Sequence, residues 1–273
     1  MIKKTLLILT LFLSVVVNGQ GWRPVGVRSS GLSNSSVALS DVWSYYHNPA
    51  ATAELKSIEA GVFYESRFLA KELQTQALAV ALPIKKGVFS LGATTFGYEQ
   101  YRSTKAGLGY SLQLSDNFFL GAQVNMHQLR FNENYGSSLS ATGELGLLAK
   151  VSEKWMIGIS AMNFGAQKIS ATEERFTSVL RAGFRYKLSE VVLITGEVEK
   201  QTIHDFSFKG GVEYIPVKNF FIRLGAQSGP TSFAFGLGYK WNQFSMDIAT
   251  NYHPVLGWTP SFGLNYQFSK NAK

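Results

Sequence analysis

From about Ser57 to Phe268 the chain alternates apolar and non-apolar residues with a period of two. In the stretch FAFGLGYKW, residues 233–241, every odd position is large and apolar or aromatic, whereas the even positions are Ala, Gly, Gly and Lys. Such alternation indicates strands with one face against an apolar medium. The other face is mostly Gly, Ser, Asn and Gln, not the Lys and Glu of a solvated sheet, which favours a barrel lumen. We therefore predict an all-β transmembrane barrel.

About 14 alternating segments follow one another, which predicts a 14-stranded antiparallel barrel. Most are near ten residues long, the length of a tilted strand that crosses a bilayer. An even number of strands returns the chain to the side on which it started. The predicted limits are 57–68, 73–82, 87–98, 101–114, 117–131, 140–151, 154–164, 176–188, 191–200, 205–215, 219–227, 231–241, 243–252 and 258–268.

The connections between these segments alternate in length. Those after odd-numbered segments include the long ones, 132–139 and 165–175. Outer-membrane barrels have short periplasmic turns and longer external loops, so this asymmetry predicts which end faces outward. Those after even-numbered segments are tight, at 83–86, 152–153, 189–190, 216–218 and 242.

The N-terminus indicates export from the cytoplasm. Residues 1–19 have a basic start, an apolar core and a small-residue exit, which predicts a signal peptide. Its apolar core is shorter than the roughly 20 residues of a spanning helix. Its removal would leave 24 basic residues (26 minus 2) against 18 acidic ones, and the chain has no Cys for a lipid anchor. The predicted division is a signal peptide at 1–19, an N-terminal hatch at 20–56, the barrel at 57–268 and a periplasmic tail at 269–273.

The last predicted strand carries a second pattern. Residues 261–268, SFGLNYQF, resemble the C-terminal signal by which outer-membrane barrels engage their insertion machinery. The resemblance assigns that signal to Gly263, Tyr266 and Phe268. Aromatic residues also gather near other predicted strand ends, as expected of rings at a membrane interface. The chain is therefore expected in the Gram-negative outer membrane, with outer-membrane lipids and the insertion machinery as partners.

The stretch VWSYYHNPA, residues 42–50, does not alternate and precedes the first strand. Pro49 fixes its own φ and biases Asn48 away from helix, which predicts a rigid turn. Together with the small-residue run from Gly26, this stretch resembles the start of FadL-like outer-membrane proteins, and most nearly the PorV/PorQ-like branch of Bacteroidota. The resemblance implies a 14-stranded barrel with this segment folded inside as a hatch. The hatch motif comprises Trp43, Tyr46, Asn48, Pro49 and Ala50; an exposed linker or a short helix under the barrel is the alternative.

The inward positions of the predicted strands carry many charged residues. A charge facing lipid at mid-depth costs roughly 2–4 kcal/mol for Arg or Lys, so inward placement follows whatever the function. The charges could form a solute site, but ion pairs that fill a narrow lumen are favoured. Arg181, Arg185 and Lys187 on one segment face Glu197 and Glu199 on the next. The full set is Glu59, Glu65, Arg67, Lys105, Glu144, Lys150, Arg181, Arg185, Lys187, Glu197, Glu199, Lys209, Glu213, Arg223, Lys240 and Asp247.

The sequence argues against catalysis and nucleic-acid binding. The four His residues, His47, His127, His204 and His253, fall in no Ser/His/Asp spacing of a barrel hydrolase and in no metal-ligand cluster. Lys and Arg are dispersed and form no basic stripe. We expect a non-enzymatic protein without cofactor or metal.

Two functional hypotheses remain. The PorV/PorQ-like resemblance implies an accessory subunit in protein secretion or surface display, with secretion-system proteins as partners. The alternative is a FadL-like channel that passes small hydrophobic molecules through a gap in the wall. Short predicted external loops leave little material for capturing a ligand, which favours the first hypothesis.

Overall fold

The computed structural model describes residues 24–131, 137–164, 176–202 and 204–268. Fourteen antiparallel strands close into one barrel, and the predicted fold class is confirmed. Each predicted limit lies within three residues of the observed one. The strands, β1 to β14 in chain order, are Glu59–Ser66, Gln74–Ile84, Gly87–Gly97, Tyr101–Ser115, Phe118–Phe131, Ser137–Lys150, Trp155–Met162, Val179–Lys187, Val192–Gln201, Ser207–Val217, Phe220–Gln227, Ser232–Trp241, Phe244–His253 and Gly257–Gln267.

Every strand pairs with its neighbours in the chain, and β1 pairs with β14 to close the wall. The closing register runs from Glu59 opposite Gln267 to Glu65 opposite Ser261. Register shifts occur at the ends of two ladders, β4–β5 and β10–β11, next to the short turns. Among the described residues, the ladder therefore encircles the barrel without a gap.

The outer wall is apolar at mid-height, because outward positions carry large aliphatic and aromatic side chains that no protein atom covers. Such a belt is stable in lipid and costly in water. Aromatic pairs such as Trp155–Tyr186 and Tyr252–Trp258 lie near strand ends, with ring centroids 4.5 and 4.7 Å apart. Of the described part of the chain, no helix is long and apolar enough to cross a membrane. The outward belt includes Val62, Leu78, Leu91, Leu108, Val124, Leu145, Ile157, Leu180, Val212, Leu224, Phe235, Ile248 and Phe262.

Residues 24–56, hereafter the hatch, fold inside the barrel as one short helix, α1 (Val27–Gly31), and two 3-10 helices, Val42–Tyr46 and Pro49–Glu54. Asp41 caps the first 3-10 helix by accepting from the Trp43 amide, while the Ser44 hydroxyl accepts from the Asp41 amide. Asn48 caps the second in the same way, and Pro49 occupies its first position. The predicted signal peptide and tail lie outside the described residues.

Candidate functional site

The hatch touches the inner face of all fourteen strands. Tyr46 donates to the carbonyl of Leu78 on β2, Asn48 to Leu147 on β6, and Arg28 to Glu213 on β10. α1 packs against β11 to β14, and the second 3-10 helix against β3 to β6. Because the contacts run around the whole circumference, the hatch fills the barrel at its depth.

A ring of inward-facing glycines makes room for the hatch, with one member on each of eleven strands. At every position an added Cβ would lie 3.1 Å or less from a hatch atom. At Gly146 it would overlap Oδ1 of Asn48, and at Gly121 the amide nitrogen of Ala50. We had interpreted these glycines only as part of a polar lumen, since alternation shows which way a residue points but not what it contacts. The glycine ring comprises Gly61, Gly92, Gly107, Gly121, Gly146, Gly158, Gly183, Gly211, Gly225, Gly236 and Gly263.

The aromatic residues of the hatch motif join it to one side of the wall. The Trp43 indole donates to Oδ1 of Asn265 over 2.7 Å, and the Tyr46 hydroxyl donates to the carbonyl oxygen of Leu78 over 2.7 Å. The two rings stack with centroids 6.2 Å apart. Both side chains are buried. Each ring therefore packs as an apolar body and still satisfies its polar atom.

Asn48, Pro49 and Ala50 form the opposite contact, on β5 and β6. The Asn48 amide donates to the carbonyl oxygens of Val37 at 2.8 Å and Leu147 at 3.0 Å, and accepts from the Ala50 amide at 3.1 Å. One planar amide thus ties two hatch segments to the wall. A side chain without both donor and acceptor could not replace it.

Several of the charges named from the sequence lie on the inner face and contact the hatch. Arg181 is fully buried; it donates to both oxygens of Glu197, at 2.7 and 2.8 Å, and to the carbonyl oxygen of Asn34 at 2.9 Å. Glu197 also accepts from the amides of Ser36 and Val37. This arrangement fixes the hatch backbone by charge-assisted hydrogen bonds, which are the stronger kind.

His47 belongs to the same network. Burial, reinforced by the Arg181 guanidinium, holds the pKa of His47 well below its ordinary value. The neutral ring donates from Nε2 to the carbonyl oxygen of Val25 over 2.7 Å. Its Nδ1 then faces Nη1 of Arg181 at 3.4 Å as an acceptor, so this tautomer satisfies both contacts.

The remaining named charges form further pairs. Arg185 pairs with Glu54 of the hatch at 2.7 Å, and Glu199 pairs with Lys209 at 2.5 Å. Lys187 instead pairs with Glu190 at the exposed turn between β8 and β9, 2.7 Å away.

A second cluster joins Arg28 of the hatch to Glu213 at 2.7 Å. Arg223 pairs with both Glu213 and Asp247 at 2.6 Å. The hatch partners Arg28 and Glu54 were missed because pairing over more than a hundred residues leaves no local pattern.

We predict that Arg181→Leu strongly destabilises the barrel. Loss of Arg181 leaves buried Glu197 with only the longer contact to Lys209 Nζ, at 3.4 Å, and breaking a buried pair costs about 3–5 kcal/mol. The measurement is heat denaturation followed by the mobility of the folded barrel on a gel. Lys187→Leu is the matched control, since its exposed pair is worth about 0–1 kcal/mol. Equal denaturation temperatures for the two variants would contradict the Arg181 network.

The residues of the predicted insertion signal have separate surroundings. Tyr266 faces outward and contacts Phe244 and Phe268, with ring centroids 4.8 and 4.6 Å apart. Gly263 faces inward, where an added Cβ would lie 2.7 Å from Cγ2 of Val27. Packing against the hatch therefore explains why residue 263 is a glycine. The role of Gly263, Tyr266 and Phe268 in insertion stays a prediction.

An aromatic cluster lines the inner face at the end of β3 to β5 that we predict to face outward, and we call it the chamber. Phe96, Leu129 and Phe176 are buried there, and Tyr101 and Phe131 pack beside them. The Tyr101 and Phe131 rings are 5.6 Å apart, and the His127 and Phe176 rings 4.7 Å apart. These residues lie on inward positions that are otherwise polar. Their alternation with outward residues was visible in the sequence, but we did not read it as a site.

Together these features define a closed transmembrane barrel with an internal hatch and an apolar cluster, the chamber, at one end. No family model and no curated protein sequence matches the chain significantly. Among solved structures, the chain is similar to the CymD monoaromatic hydrocarbon channel, with a TM-score of 0.69, 13% identity, and 90% of this chain and 98% of that chain covered.

It is also similar to the Ralstonia pickettii toluene transporter TbuX, with a TM-score of 0.68 and 12% identity, and the match covers 93% of this chain and 100% of that chain. A Pseudomonas aeruginosa FadL homologue is similar with a TM-score of 0.66 and 11% identity, and the match covers 92% of this chain and 100% of that chain. The chain therefore has the fold of FadL-type outer-membrane channels.

These comparisons correct our first functional hypothesis. The predicted role as an accessory subunit of protein secretion is wrong, since the solved structures with this fold are described as hydrocarbon channels and transporters. The hypothesis relied on short external loops that leave little material for ligand capture. That reasoning considered the loops alone and left out the partly buried rings of Tyr101 and Phe131 on inward strand positions.

Proposed function

We propose that this protein is a non-enzymatic outer-membrane channel that takes up small hydrophobic molecules. The chamber is the observation that carries the proposal. A purely structural polar lumen does not require aromatic side chains on lumen-facing positions. Such side chains can instead bind an apolar solute and remove its surface from water. The fold shared with channels described as carrying toluene and monoaromatic hydrocarbons supports the same class of solute. The finer relationship to the PorV/PorQ-like branch rests on residues 26–50 alone.

The proposed route passes the hatch. The ladder of the described strands has no gap through which a solute could leave sideways. The hatch contacts the complete circumference, so the lumen is closed below the chamber. A solute bound in the chamber therefore crosses only when the hatch is displaced, and we infer that displacement is part of each transport event.

The test is uptake of radiolabelled toluene by cells with and without the chain. We expect the complemented cells to take up toluene faster than the deletion strain, and equal rates would refute the proposal. Within the chamber, Tyr101→Ser/Phe131→Ser should reduce uptake roughly tenfold, because burying a ring is worth about 1.5–3 kcal/mol. The control Tyr101→Phe/Phe131→Leu keeps the apolar surface and should retain uptake.

A further inference from the structure

The chamber has a polar floor on its hatch side. Lys105 of β4 pairs with Glu144 of β6, with Nζ 2.6 Å from Oε1, and the Lys105 and Glu144 side chains are 15% and 3% exposed. Nζ also lies 5.8 Å from the centre of the Tyr46 ring of the hatch. His127, opposite Lys105 in the strand register, connects this pair to the Phe176 ring above it. The aromatic residues of the chamber are thus bordered on the hatch side by the buried Lys105–Glu144 ion pair.

One oxygen of this pair has no hydrogen-bond partner. Oε1 of Glu144 accepts from both Lys105 and the Asn125 amide, at 2.6 and 2.8 Å. Oε2 is buried and has no partner among the described residues. A buried acceptor left unsatisfied destabilises the folded protein, and more so when it is charged. By contrast, both oxygens of Glu199 have donors, from Gln201 and Lys209.

We propose that this floor selects aromatic molecules that carry a hydroxyl group. The ring would lie in the chamber against Phe176. The hydroxyl oxygen would accept from Lys105 Nζ, which has three donors, and its hydrogen would be donated to Oε2 of Glu144. The inference rests on the proposed function, since it names the solute that the same chamber prefers.

The charges of the floor distinguish a hydroxyl from other substituents. A hydrocarbon leaves Oε2 of Glu144 unsatisfied and so gains nothing from the pair. A carboxylate could accept from Lys105, but its charge would face that of Glu144, and like charges this close repel. A phenolic hydroxyl is neutral and is both donor and acceptor, as the two partners require.

Binding of three probes of one shape tests the proposal: p-cresol, toluene and p-toluate. Their dissociation constants are measured by ligand-observed NMR with the full protein in nanodiscs, and binding to empty nanodiscs is subtracted. We expect p-cresol to bind roughly tenfold more tightly than toluene, as for a charge-assisted hydrogen bond, and p-toluate to bind most weakly.

Variants then assign the preference to the floor. Glu144→Gln retains an acceptor for Lys105 but places a donor at or near Oε2, so it should remove the p-cresol preference. Lys105→Met/Glu144→Leu removes the whole pair without an uncompensated charge and should equalise p-cresol and toluene. Lys187→Met/Glu190→Leu removes the exposed pair at the turn between β8 and β9 and should keep the preference.

The outcomes separate this inference from the proposed function. Toluene that binds and is taken up, with p-cresol binding no more tightly, overturns the hydroxyl selectivity alone. Absence of binding by both probes, with no toluene uptake, overturns the channel and its selectivity together. A preference that survives Lys105→Met/Glu144→Leu would place its source outside the floor and also refute the assignment.

Discussion

A disulfide that joins the hatch to β4 is expected to abolish uptake reversibly. The Thr52 and Ser111 hydroxyl oxygens are 2.8 Å apart, and both side chains are fully buried. Thr52→Cys/Ser111→Cys therefore places two thiols within bonding reach, in a chain that has no other Cys. With the bond formed, the hatch cannot leave the wall, so toluene uptake should fall to the level of the deletion strain.

Reduction of the disulfide should restore uptake to the same cells, which separates locking from misfolding. Each single variant, Thr52→Cys and Ser111→Cys, serves as a control under oxidising conditions, because neither can cross-link. Undiminished uptake through the oxidised double variant would show that solutes leave through the wall. That result would contradict hatch displacement but not hydrophobic uptake itself.

The barrel follows from sequence because its determinants are local and periodic. Each strand repeats the same requirement, an apolar side chain facing lipid at every second position. An error in the predicted limits of one strand therefore does not affect the prediction of the next. The ends are less determined. We predict that the eighth strand begins at residue 176, but β8 begins at Val179. Residues 176–178 instead contact the end of β7, because Asn163 donates to the Phe176 carbonyl and the Ser178 hydroxyl donates to the Asn163 carbonyl. This contact between the two ends of a connection has no periodic signature.

The interior could be predicted only in part. Alternation placed Arg181 and Glu197 inside, and the stretch around Asn48 indicated a segment that is not a strand. The partners of these residues were not predictable, because Asn34 and Ser36 meet Arg181 across 147 and 145 residues of chain. The functional hypothesis failed for a related reason. It weighed loop length, which is visible in the sequence, above the packing of Leu129 on β5 against Phe176, which lies beyond β7 in the chain.

Gly146→Val is expected to expel the hatch from its place and open the lumen. The inner face of Gly146 has no room for a side chain: a Cβ would overlap Oδ1 of Asn48 and lie 2.8 Å from the Ala50 nitrogen and 3.0 Å from Cδ of Pro49. Overpacking of this kind typically costs about 1–3 kcal/mol. The β6 backbone is held by ladders on both sides, whereas the hatch is held by side-chain contacts, so the hatch moves.

The measurement is ion conductance in planar bilayers. The unaltered protein should be nearly silent, and Gly146→Val should approach the conductance of the variant that lacks residues 24–56. Gly210→Val is the matched control: Gly210 faces outward on β10, and an added Cβ would meet only the Thr195 carbonyl oxygen, at 3.8 Å. That control should fold and stay silent. If Gly146→Val inserts as a folded barrel and also stays silent, the hatch tolerates displacement without opening a path, and a lumenal route past it is refuted.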